Sequence, residues 1–140
     1  MKSKTRKKRT PLAIAKDNAW TWMSRYIRLR DSDAKGMCKC VTCDTRKPWR
    51  DMQAGHFIPA GRGNAVRWNE TNVHGQCMRC NVNLGSNGPE YFKFMVKTYG
   101  QDFVDDLIIM SHSPRKISIQ EYREKAYYYE NSARELGYEI

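Results

Sequence analysis

The chain has 140 residues, 25 Lys+Arg against 15 Asp+Glu for a net charge of +10, and five cysteines. That is room for one domain and not for two independent globular units. No apolar run approaches the roughly 20 residues that span a bilayer, and no apolar stretch of a secretory signal follows the basic N-terminus. The expectation is a soluble, cytoplasmic protein with no membrane partner.

Residues 1–10 read as a disordered basic tail, with Lys or Arg at six of the first nine positions. Taking those six from +10 still leaves +4 on the remainder. Lys and Arg that neutralise phosphates release counterions, so the charge predicts a nucleic-acid partner, with Lys7, Lys8 and Arg9 among the candidate contacts. From Pro11 the rest reads as a single domain, 11–140. A helix is expected over 11–35, with Leu12, Ala15, Ala19, Met23, Tyr26 and Ile27 at helical spacing and Arg25, Arg28 and Arg30 near its end.

Next come Cys38, Cys40, Cys43, Cys77 and Cys80. Two Cys-x-x-Cys pairs, Cys40/Cys43 and Cys77/Cys80, have 33 residues between them. In a reducing compartment they predict a four-thiolate structural zinc site, in preference to two disulfides or a redox dithiol. Cys38 is a possible substitute for Cys40. Between the pairs, Pro48, Pro59 and the glycines from Gly55 to Gly63 suit short strands and loops. The zinc-bound segment is expected over 36–88 and a helical part over 89–140. Pro89 opens one helix that stops at Gly100, a second covers 101–110, and Ser118 with Glu121 forms a capping box for the last. Tyr122, Tyr127, Tyr128 and Tyr129 on that last helix are expected to pack against the body. The fold class is α+β.

Inside the zinc loop lies Ala54-Gly55-His56-Phe57-Ile58-Pro59, followed by Asn69-Glu70-Thr71-Asn72-Val73-His74-Gly75-Gln76 running into Cys77-Met78-Arg79-Cys80-Asn81. A zinc ribbon that only scaffolds has no use for a His and an Asn in these places. Phosphodiester hydrolysis does: it needs a base for water and a divalent metal for the charge on the phosphate and the leaving oxygen. His74 is read as a structural or supporting group and His112 as incidental. Arg62, Arg67 and Arg79 are candidate phosphate contacts, with Arg62 best placed in its glycine-flanked loop.

These motifs resemble the HNH, or ββα-metal (His-Me finger), nucleases, whose pattern Gly55-His56-Phe57-Ile58-Pro59, Asn72 and Cys77-x-x-Cys80-Asn81 follow. The resemblance is closer still to the phage NinG/Rap recombination nucleases, through Ala54-Gly55-His56, the run Arg67 to His74, Gln76-Cys77-x-x-Cys80-Asn81, and Gly85-Ser86-Asn87 with Tyr91, over about residues 20–135. It implies a zinc-stapled ββα-metal core flanked by helices, with His56 as general base, Asn81 as a ligand of catalytic Mg2+ or Mn2+, and Asn72 holding the hairpin and orienting His56. It also implies cutting of branched DNA such as Holliday junctions and D-loops in phage recombination. A recombinase partner, a homodimer to match the symmetry of a junction, and the host cytoplasm are the corresponding expectations. Gly55 departs from the usual acid or His before the base, which leaves Asp51, Glu70 or Asn87 as further ligand candidates. The rival readings are a zinc-stabilised DNA-binding module without catalysis and a sequence-specific HNH nuclease.

Overall fold

Thr10 starts the first helix: its extended backbone lets the hydroxyl accept from the Ala13 amide at 3.1 Å, and Pro11 occupies the first helical position. The computed structural model describes residues 7–140, so the first six residues of the expected tail lie outside it. The end of that tail is tied down, because Arg9 pairs with Asp17 on the helix. Helix α1 (Pro11–Arg30) stops five residues short of the expected 35. The reason is long-range. The Arg30 guanidinium donates to the carbonyls of Glu70 (3.1 Å) and Val73 (2.8 Å), and the Asp31 carboxylate accepts the Gly75 amide at 2.8 Å.

Two antiparallel hairpins follow. Strand β1 (Met37–Lys39) pairs with β2 (Arg46–Pro48), and β3 (Gln53–His56) pairs with β4 (Val73–Gln76), setting Gly55 opposite His74 and His56 opposite Val73. Side chains alternate across a strand. Ala54 and Val73 therefore face α1, in a core with Ala19, Met23, Tyr122 and Tyr129. Gly55 and His74 face the other way, toward Tyr91. The connection from β3 to β4 contains a single helical turn, α2 (Asn64–Arg67).

After β4 a π-helical turn covers Arg79–Asn83, with the Leu84 amide reaching the Arg79 carbonyl at 2.9 Å. Three consecutive left-handed residues, Gly85, Ser86 and Asn87, then redirect the chain into α3 (Gly88–Tyr99). Gly100 (φ 90°) separates it from α4 (Gln101–Met110), and α5 (Ile119–Glu135) ends the fold. Only half of the expected capping box forms. Ser118 accepts from the Glu121 amide at 3.1 Å, but the Glu121 carboxylate turns to Arg115 at 3.2 Å. The tyrosines of α5 also divide: Tyr122 and Tyr129 are buried, while Tyr127 and Tyr128 are 74% and 57% exposed. A seven-residue separation brings 122 and 129 to one helix face and leaves the others off it.

The architecture is α+β, with small two-stranded sheets held between helices. One apolar cluster lies between α1, the β3–β4 hairpin and α5, and a second surrounds the cysteines. A third joins Ile58 and Val66 to Tyr91, Met95, Val104 and Leu107, packing the β3–β4 loop on α3 and α4. Among the described residues, no helix is long and apolar enough to cross a membrane.

Candidate metal centre and active site

The first hairpin brings Cys40 and Cys43 against Cys77 and Cys80, where the chain leaves β4. All four Sγ atoms lie within 4.8 Å of one another, and Cys43 and Cys77 approach to 3.7 Å. Zn–S bonds of about 2.3 Å in a tetrahedron place sulfurs about 3.8 Å apart, so the donor set and its spacing fit a metal such as zinc. Polar side chains lie against the sulfurs: Thr42 Oγ1 is 3.4 Å from Cys40 Sγ, and Asn87 Nδ2 donates to Cys80 Sγ at 3.7 Å. Cys38 is not part of the cluster and does not replace Cys40. It is buried against Gly75, where a Cβ would sit 2.5 Å from its Sγ, and burial pushes its thiol up to about 11.

His56 ends β3 on the α1 side of the hairpin. Its Nε2 lies 2.9 Å from the Arg67 carbonyl, which can only accept, so Nε2 carries the proton. In the neutral ring Nδ1 is then the basic atom, and it bonds no described protein group. Burial lowers the His56 pKa, the Arg67 carbonyl pulls the other way, and the Arg67 charge lowers it further. The ring lies face to face on Trp20 of α1, with centroids 5.0 Å apart and planes 21° from parallel. The sequence offered no sign of this contact, because position 20 lies beside the apolar stripe of α1 and not on it.

Asn72 is fully buried and holds the loop that follows His56. Its Oδ1 accepts from the Ile58 amide (2.8 Å), and its Nδ2 donates to the carbonyls of Ile58 (2.9 Å) and Val66 (3.0 Å). It is a positioning residue out of reach of any substrate. Gly55 has its own physical reason: a Cβ there would overlap the Gln76 carboxamide, whose Nε2 is fixed by Thr42 Oγ1 (3.0 Å) and the Ser86 carbonyl (2.9 Å). On the same face, the Tyr91 hydroxyl donates to the Gly55 carbonyl at 2.8 Å and so accepts from His74 Nδ1 at 3.0 Å. Tyr99 reaches His74 Nε2 at 3.0 Å. Burial, with Arg30 nearby, brings the His74 pKa down to about 4, so His74 is a neutral link pinning β4 to α3.

Asn81, on the π-helical turn, meets Gln53: its Nδ2 donates to Gln53 Oε1 at 2.6 Å. Both line a cleft with Trp20, Ser24 and Arg28 of α1. Asp51, the residue favoured from sequence, is exposed on the turn before β3 and is not in that lining, because strand geometry begins only at Gln53. Glu70 faces Tyr26 and Tyr129 on the helical side, and Asn87 is engaged at Cys80. Among the described residues, no other cluster of three His, Cys, Asp or Glu accompanies the cysteines. Of the arginines, Arg62 and Arg79 are exposed, while Arg67 lies partly buried over Trp68 at 5.7 Å with its Nε unpartnered. Lys7, Lys8 and Arg9 are exposed.

The family model described as Bacteriophage Lambda NinG protein matches residues 1–139. The Protein ninG of Escherichia phage lambda is 28% identical over 114 residues, 81% of this chain and 53% of the relative. The corresponding protein of Escherichia phage 933W is 27% identical over 114 residues, 81% of this chain and 54% of its own length. That of Salmonella phage P22 is 28% identical over 85 residues, 61% of this chain and 39% of its own length. The chain thus spans about half the length of the first two of these relatives. No solved structure matches it. With nearly every residue covered by one family model, the chain belongs to the NinG family.

Proposed function

We propose that this protein is a metal-dependent DNA endonuclease of the HNH, or His-Me finger, type, acting on branched DNA intermediates of phage recombination, with a structural zinc at Cys40, Cys43, Cys77 and Cys80. The observation that carries the reading is the state of His56: Nε2–H is committed to the Arg67 carbonyl, and Nδ1 is left without a described protein partner. A lowered pKa keeps it in that form at neutral pH. Asn81, through Oδ1, is the side chain that would hold Mg2+ or Mn2+, with Gln53 fixing its amide. Such a cation supplies charge stabilisation at the scissile phosphate and its leaving oxygen. His56 Nδ1 takes the proton of the attacking water, and Arg67, beside it, offsets phosphate charge.

The branched substrate, a recombinase partner and a homodimeric assembly follow from the family resemblance and from the two cuts a symmetric junction requires. The test is cleavage of a synthetic four-way junction and a matched linear duplex, with magnesium or manganese and with EDTA, by wild type and His56→Ala. Junction cutting lost on His56→Ala with DNA binding retained is the expected result. Equal cutting of both DNAs would remove the structure preference. Binding without cutting under either metal would instead favour a zinc-stabilised binding module.

A further inference from the structure

We propose that the cleft between the β3–β4 loop and the α4–α5 connection is the track for the phosphodiester backbone of a nucleic acid, gripped by Arg62 and Lys116. The proposal rests on the nuclease reading for its orientation but not for its test. One wall carries Arg62 and Asn64, and the other carries His112, Arg115 and Lys116. These walls are some fifty residues apart in sequence, and a bond from Asn64 Nδ2 to the Arg115 carbonyl at 3.0 Å locks them together.

The charge of this groove is what selects the occupant. Its lining contains no carboxylate. Arg115 is held in place by Glu121 at 3.2 Å, whereas Arg62 and Lys116 enter no ion pair among the described residues. Ser113, exposed on the same wall, adds a hydroxyl of the kind that bonds phosphate oxygens. Two other grooves are unsuited to a polyanion: the one at Tyr128 contains Glu121 and Glu124, and the one at Lys39 contains Asp44.

Position links the groove to the chemistry. The loop bearing Arg62 leaves from His56 and returns to it through the Arg67 carbonyl, while Asn72 braces it from inside. A backbone held at Arg62 is therefore held by the same rigid loop that aims Nδ1. His112, read from sequence as incidental, stands on the opposite wall.

The experiment measures binding of fluorescent duplex and four-way junction DNA by the full chain in EDTA, across a salt series, so that cutting plays no part. Each lost phosphate contact lowers the slope of log affinity against log salt by about one. Arg62→Ala/Lys116→Ala should flatten the slope by about two. Lys47→Ala/Lys97→Ala removes the same charge from β2 and α3 and should leave the slope nearly unchanged. Equal flattening by both pairs would show that only diffuse charge acts and would overturn the proposal. So would an unchanged slope in the first pair, or no binding by the wild type.

Discussion

Replacing Trp20 by Ala separates the positioning of His56 from its mere presence. Trp20 makes two aromatic contacts, the 5.0 Å stack on His56 and an edge contact on Trp68 at 6.0 Å. Aromatic pairs are worth roughly 1 kcal/mol each beyond area burial, so the truncation should cost at least about 2 kcal/mol of stability, with the lost burial of the indole in addition. The fold should survive this loss, because Met23, Ile27 and Val73 still fill the adjoining core. Without the indole, water reaches the imidazole face and the main cause of its depressed pKa weakens. The His56 pKa should rise, and the acidic limb of any pH–rate profile should move upward with it. A ring free to rotate should also reduce turnover about tenfold or more, since each 1.36 kcal/mol of lost positioning is tenfold in rate. Nitrogen-15 NMR of the ring, titrated without DNA, reads the pKa and the tautomer directly, and Trp20→Phe should restore both. An unchanged His56 titration in a folded Trp20→Ala protein would refute the argument.

Three further outcomes follow from the same geometry. Metal analysis should find one zinc per chain, lost in Cys80→Ser and retained in Cys38→Ser; chelation should unfold the protein, because a structural site of this kind contributes about as much as a whole domain's net stability. Gly55→Ala should destabilise by about 2 kcal/mol, since Gln76 would have to surrender its bonds to Thr42 and Ser86, and Gln76→Ala should recover part of that loss in a double-mutant cycle read by urea unfolding. His74, with its pKa near 4 against about 6.5 when unfolded, takes up its proton later in the folded chain. Stability is therefore full above about pH 6.5 and should fall by about 3 kcal/mol as pH drops toward 4, a slope that His74→Asn should flatten.

What the sequence determined by itself is local. Thr10-Pro11 and Ser118 start helices through bonds to residues three positions on, and the two Cys-x-x-Cys pairs specify metal chemistry by their spacing alone. His56 was singled out in the sequence by its place between two such pairs. Tertiary structure decided the groups that meet across the fold. Arg30 and Asp31 end α1 early because β4 supplies their partners, and Gln53, the first residue of β3, stands beside Asn81 in place of Asp51. Gly55 is glycine because Gln76 occupies its side-chain space, and Trp20 holds His56 from a helix 36 residues away. A capping bond or a ligand pair is fixed by a few neighbouring dihedrals. These longer contacts exist only after the helices have packed on both faces of the β3–β4 hairpin, a geometry that no short stretch of sequence encodes.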